Sequence, residues 1–232
     1  MNILAIDTSN QVLGVSLLKD DQVVGEVMTN LTKNHSVRLM PAIDNLMNEI
    51  ALKPEQLDRI VVAKGPGSYT GVRIGISTAK TMAWALDIPV VGVSSLEVLA
   101  YQGRFFPEYI CPFFDARRGL VFTGLYQWKD NKLVSVLEEK NLLMDDVLKK
   151  LVEDQKRVVF LSPDISIYKE KIQQILGDHA IIPEGPYHIP QAGHLGLAGL
   201  NKDSDSTHEL TPNYLRLAEA EANWLKQQKG NK

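Results

Sequence analysis

Apolar residues recur along this chain with two different periods, and the change from one to the other predicts the order of elements. Residues 3–6 form a compact apolar run. Residues 12–18 alternate around Gly14 and Ser16, and 22–28 follow the turn signal Asp20-Asp21. Together they read as three strands joined by short turns. Leu39, Ile43, Leu46, Met47 and Ile50 then recur at helical spacing and predict a helix over about 36–50. Pro41 falls near its first turn, where a missing N–H does little harm. Residues 58–63 read as a buried strand, 65–71 as a glycine-rich turn, 72–86 as a second helix and 89–93 as another strand. Ser94, with Glu97 three residues later, suits the start of a third helix.

The second half opens in the same way. Strands are expected at 109–115, 119–128 and from 133, and helices near 144–153 and 167–176 flank a strand at 157–161. A helix at 192–200 and a closing helix at 218–226 complete the chain. The whole is α/β: two domains, each a mixed sheet flanked by helices. The boundary is expected near Gly103–Pro107, giving domains 1–103 and 104–232, with the last helix (214–226) packing back on the first domain.

Composition narrows the class. The 232 residues are 44% hydrophobic and 23% charged, ordinary for a soluble globular protein, and the net charge of −3 gives no whole-chain attraction to phosphate backbones. The single cysteine, Cys111, excludes an intramolecular disulfide and fits a reducing compartment. The start, Met1-Asn2-Ile3-Leu4-Ala5-Ile6-Asp7, has no basic region, and no apolar run approaches the ~20 residues that span a bilayer. A cytoplasmic protein with no membrane contact is expected.

Chemistry-bearing residues are few. Asp7-Thr8-Ser9 follows the first strand, where a carboxylate beside hydroxyls either holds a hydrated magnesium near phosphates or simply satisfies backbone N–H groups. Gly65, Gly67 and Ser68 lead into a helix, a setting that suits an anion. The loop lacks the Gly-Lys-Ser/Thr ending of a P-loop and the spacing of a dinucleotide fingerprint. Gly71, Gly75 and Ala79 recur at intervals of four, with Thr78 and Met82 beside them, clearing one helix face for a close approach. That face either packs inside the domain against the first helix or forms a subunit seam, with Met40 and Met47 as adaptable surface. The five histidines show no metal-ligand spacing. Arg117 and Arg118 stand on an expected hairpin turn, where a guanidinium pair can bind phosphate or carboxylate or remain solvated.

Taken together, residues 3–9, His35-Ser36, the run from Gly65 to Gly75, Ala79-Lys80, Asp115-Ala116-Arg117 and Pro212-Asn213-Tyr214-Leu215-Arg216 closely resemble the bacterial TsaB family. The resemblance spans nearly the whole chain and is strongest over 60–100. It implies the fold of the sugar-kinase, heat-shock and actin ATPase (ASKHA) superfamily. It also implies a non-catalytic subunit in forming threonylcarbamoyladenosine beside the anticodon of tRNAs that read codons beginning with A. The implied partners are a TsaD-type catalytic paralogue, paired through the first two helices, a TsaE-type ATPase, and tRNA through the complex; a homodimer is expected when the chain is alone. ATP and metal would belong to those partners and no cofactor to this chain. On this reading the interface comprises His35, Leu39, Met40, Ile43, Met47, Gly71, Ile74, Gly75, Thr78, Ala79 and Met82. Asp7, Thr8, Ser9, Gly65, Gly67 and Ser68 form a vestigial phosphate site, and Arg117 and Arg118 a polar contact. The positions matching the paralogue's two metal-binding histidines look like Ser95 and Leu99, which cannot hold iron or zinc there. The competing expectations are an independent ASKHA-type phosphotransferase that binds ATP through Asp7 and the glycine loop and, more distantly, a metallopeptidase.

Overall fold

Residues 1–31 and 34–215 are described in the structure, a computed structural model; the closing helix expected at 218–226 lies outside them. The first half runs β1 (Asn2–Asp7), β2 (Val12–Lys19), β3 (Gln22–Asn30), α1 (His35–Glu49), β4 (Arg59–Ala63), α2 (Tyr69–Leu86), β5 (Val90–Val93) and α3 (Ser95–Ala100). The second runs β6 (Tyr109–Asp115), β7 (Leu120–Lys129), β8 (Lys132–Leu143), α4 (Met144–Asp154), β9 (Val158–Leu161), α5 (Ile165–Leu176), β10 (Ala180–Ile181) and α6 (Ala192–Gly199).

The two sheets share one topology. The first has the order β3-β2-β1-β4-β5 and the second β8-β7-β6-β9-β10. In each, a three-strand antiparallel meander continues into two parallel strands. Helices α1 and α2 therefore correspond to α4 and α5. No helix among the described residues is long and apolar enough to cross a membrane.

Helix α1 starts at His35 because Asn34 caps it, its side-chain oxygen accepting the Ser36 N–H at 3.1 Å. That start puts Pro41 in the second turn, not the first, so the Val37 carbonyl loses its usual donor. Both residues lie on the exposed face, where the loss is best tolerated. Leu39, Ile43 and Leu46 of α1 and Val72, Ile76 and Ala79 of α2 pack on Leu4, Ile6, Leu13 and Val15 of the first sheet. In the second half, Val147, Leu148 and Ile172 of α4 and α5 cover Cys111, Phe113 and Val121. Helix α3 joins the halves, as Leu96, Leu99 and Ala100 pack against Ile110, Phe114 and Val159.

Helix α6 departs from the expected division of the chain. It lies on the far face of the first sheet, where Leu195 and Ala198 pack with Ile3, Ala5, Leu18 and Val61. Burying a leucine such as Leu195 stabilises by about 1.5–3 kcal/mol, enough to draw the segment across. Gly199 lets the helix settle, since a Cβ there would fall 2.4 Å from Val61 Cγ1. The chain then stays with the first half: the Asp205 N–H donates to Val90 O at 2.9 Å, and Leu210 is buried in the core beneath α1 and α2.

This seating is testable. Val61 is β-branched and central in the sheet, so it cannot swing aside. Gly199→Ala should lower stability by about 1–3 kcal/mol in urea unfolding. A variant as stable as the parent would show that α6 does not approach β4 this closely.

Candidate functional site

Strand β1 ends at Asp7, and Thr8 and Ser9 beyond it are fully buried. They are buried because α2 and its leading loop come unusually near. A Cβ at Gly67 would lie 2.0 Å from Ser9 O, at Gly71 2.1 Å from Thr8 O, and at Gly75 2.6 Å from Thr8 Oγ1. No larger residue fits these places without displacing backbone or a buried hydroxyl. The contact is polar as well as close. Thr8 Oγ1 donates to Gly71 O at 2.7 Å, and the Ser68 N–H donates to Ser9 O at 2.7 Å.

This packing buries part of the expected partner interface within the chain's own core. Gly71 and Gly75 pack against the chain's own Thr8, and Ala79 is buried in the core that α1 and α2 form with the first sheet. Leu39, Ile43 and Met47 are likewise core residues. His35, Met40, Ile74, Thr78 and Met82 keep some exposure.

The residues of the expected phosphate site are brought together, but their polar groups are turned on one another. Asp7 Oδ1 accepts the Ser9 N–H at 2.8 Å and the Ser9 hydroxyl at 2.7 Å, while Oδ2 is buried with no partner among the described residues. Burial pushes the Asp7 pKa above the usual carboxylate range, opposed by the two Ser9 bonds and by His35. Ser68 Oγ is occupied as well, accepting the Gly71 N–H at 3.2 Å. An enclosed carboxylate does not fit a hydrated magnesium, which needs oxygens open to its water shell.

Beside this knot, between the two halves, lies an open cleft of about 800 Å³. Ser9, Asn10, His35, Ser68 and Tyr69 line it from the first half, and Asp115, Arg117 and Asp164 from the second. His35 Nε2 donates to Asn10 O at 2.8 Å, fixing one wall. On the opposite wall, Tyr168 donates to Asp115 Oδ1 at 2.8 Å, and the Asp115 N–H donates to Asp164 Oδ2 at 2.9 Å. Burial foremost raises the Asp164 pKa. Arg117 and Arg118 both take left-handed backbone, φ 64° and 58°, on the β6–β7 turn. Of the two, Arg117 lines the cleft.

Asp164, Tyr168, Asn10 and Tyr69 were not singled out in the sequence. Asp164 before a helix is a readable signal, but its meeting with Asp115 depends on the sheet order. Ser95 and Leu99 are both fully buried on α3. His188 is held between the Ser162 N–H and Pro183 O, a packing role, and burial lowers its pKa. Among the described residues, no three His, Cys, Asp or Glu side chains are grouped to hold a metal.

Comparisons with known proteins agree with this architecture. The family model described as "TsaD: tRNA N6-adenosine threonylcarbamoyltransferase" matches residues 22–224. The chain is 52% identical over 229 residues to the tRNA threonylcarbamoyladenosine biosynthesis protein TsaB of Bacillus subtilis, covering 99% of this chain and 100% of that protein. Among solved structures, an uncharacterised Pseudomonas aeruginosa protein with similarity to peptidase YeaZ superposes with a TM-score of 0.80 at 27% identity, over 93% of this chain and 99% of that one. Component A of the Acidaminococcus fermentans (R)-2-hydroxyglutaryl-CoA dehydratase, at 12% identity, shares the fold with a TM-score of 0.50, over 86% and 96% of the two chains. The two mixed sheets with flanking helices are the α/β, two-half architecture expected from the sequence.

The buried Asp7 gives a pH prediction. Its folded pKa is raised above the unfolded value of about 3.9, so folding favours the protonated form. The stability it contributes is whole below about pH 4 and is lost as pH climbs through the raised pKa. Asp7→Asn keeps an acceptor for Ser9 and cannot ionise. The stability of the variant relative to the parent should therefore rise from about pH 4 to pH 8 in urea titrations. A difference that is flat with pH would mean that Asp7 ionises as readily in the folded protein as in the unfolded chain.

Proposed function

The chain belongs to the TsaB family and is a tRNA threonylcarbamoyladenosine biosynthesis protein, and on that premise we propose that it acts as a non-catalytic subunit. It pairs with a TsaD-type catalytic paralogue through the outer surface of α1 and α2. The pair recruits a TsaE-type ATPase and meets tRNA as an assembly. ATP and metal chemistry belong to those partners. Alone, the chain forms a homodimer through the same surface, because a face shaped for a related fold accepts its own copy.

One observation carries the subunit reading. Across α1 and α2, Val37 is 67% exposed and Met40 49%, with Ile74 and Met82 half-buried. Apolar side chains held at the surface of two neighbouring helices suit the dry centre of an interface. His35 and Thr78 supply polar edges. The buried Asp7 and the donor-free Leu99 support the assignment of the chemistry to the partner.

A second reading is favoured by the cleft itself: an ATP-binding phosphotransferase would place its nucleotide there. Calorimetry of the isolated chain with ATP and magnesium separates the two, since tight binding with hydrolysis belongs only to the second.

The subunit reading is tested by omission. Leaving this chain out of a mixture of paralogue, ATPase, threonylcarbamoyl-adenylate synthase and tRNA should abolish modification, and restoring it should restore the modified nucleoside. Met40→Asp combined with Thr78→Arg should weaken paralogue binding at least tenfold, about 1.4 kcal/mol, with the melting temperature unchanged. Wild-type affinity in that variant would remove α1 and α2 from the interface.

A further inference from the structure

At the rim of the cleft, two tyrosines and an arginine form a cluster that packing does not require. Tyr69 opens α2, and Tyr214 arrives from the far end of the chain. Their ring centroids are 5.7 Å apart at an interplanar angle of 30°. Arg73 Cζ lies 3.8 Å from the Tyr69 centroid, and its Nε donates to the Tyr214 hydroxyl at 2.7 Å across 141 residues of sequence. Yet Tyr69 remains 48% exposed and Tyr214 44%. Large aromatic surface is kept in water while its orientation is fixed.

The fixing is elaborate. The Asn213 N–H donates to Lys64 O at 2.7 Å, and Asn213 Nδ2 donates to Glu139 Oε2 at 3.2 Å. Upstream, Lys80 Nζ donates to the carbonyls of His208 and Leu210 at 3.1 Å each. These bonds hold the segment that carries Tyr214 against α2. A ring oriented beforehand loses little freedom when something stacks on it.

We propose that Tyr69, Arg73 and Tyr214 form a stacking platform for an unpaired nucleobase of RNA. This rests on the family reading above, in which the modified adenosine lies beside the anticodon, and it adds a direct contact from this chain. Every base has a π-face, and exposed aromatic rings with an adjoining guanidinium are the usual means of holding unpaired bases. Tyr69 also lines the cleft, so the platform continues into a space with room for a splayed base. Charge supports the orientation. Arg73 and Arg117 are at the surface, where phosphates would run, whereas Asp115 and Asp164 line the inner wall and turn phosphates away.

The test uses the complex of this chain with its TsaD-type paralogue. The probe is a synthetic anticodon stem-loop RNA with 2-aminopurine at the position 3′ to the anticodon, and stacking is read as quenching of its fluorescence. Tyr69→Leu and Tyr214→Leu should each lose quenching and weaken binding by about 5- to 100-fold. Tyr69→Phe keeps the ring and should behave as wild type. Arg117→Gln should weaken binding and lower the salt slope by about one. Tyr69→Leu alters an exposed ring, so it decides the matter even if Tyr214→Leu does not fold. Undiminished quenching and affinity in Tyr69→Leu would overturn the platform. So would a variant that binds RNA normally but no longer binds the paralogue or the ATPase, because the cluster would then be a protein contact. In either case restoring the wild-type chain still restores modification, whereas failure of that restoration would count against the subunit reading itself.

Discussion

Everything near the cleft depends on one backbone contact, the seating of α2 on the end of β1. Gly67, Gly71 and Gly75 present no side chains to Thr8 and Ser9, so a helix and a strand end meet at distances that a Cβ would forbid. The contact buries Asp7 and uses up the Ser9 and Ser68 groups. It also sets the first turn of α2, and with it Tyr69, at the mouth of the cleft. Gly67, which suggests an anion site in the sequence, thus helps to pack the loop onto Ser9.

The second half shows what the fold does without those glycines. Asp115 ends β6 as Asp7 ends β1, and α5 stands where α2 stands. Helix α5 begins Ile165-Ser166-Ile167-Tyr168, with no glycine. It reaches its strand end through a long side chain, the Tyr168 hydroxyl on Asp115. Asp115 therefore stays half-exposed on the cleft wall while Asp7 is sealed. One architecture yields a structural carboxylate in one half and a half-exposed one in the other.

Much of the fold was legible because it rests on local pattern. The strands of both meanders, α1, α2, α4 and the duplication all follow from periodicity and turn residues. For the small face of α2 the sequence left two neighbours open, the first helix or a partner, and the structure puts Thr8 against Gly71 and Gly75. Spacing shows that a helix face is small but not what lies against it, and here that is Thr8, which is more than sixty residues earlier in the chain. The course of α6 was equally hidden. Its composition says only that it is buried, while its seat on the first sheet rests on long-range contacts such as Gly196 on Leu18 and Gly199 on Val61. Asp164 and Tyr214 depend in the same way on long-range pairing.

The return of the chain also explains why the halves act as one unit. Half-buried Glu139, on β8 of the second sheet, accepts from Ser94 at the cap of α3, from Tyr126 at 2.5 Å and from Asn213 at 3.2 Å. One carboxylate therefore ties together the second sheet, the helix joining the halves and the returning C-terminal segment. Burial first, then the adjacent Glu139 charge, raise the Tyr126 pKa, so its hydroxyl stays a donor at neutral pH. Removing any one donor leaves a partly desolvated charge short of a partner, which is more costly than losing an exposed ion pair. The first half is thus tied at the glycine contact, and the second sheet, α3 and the returning segment at Glu139. The rim residues Tyr69 and Tyr214 derive their positions from both.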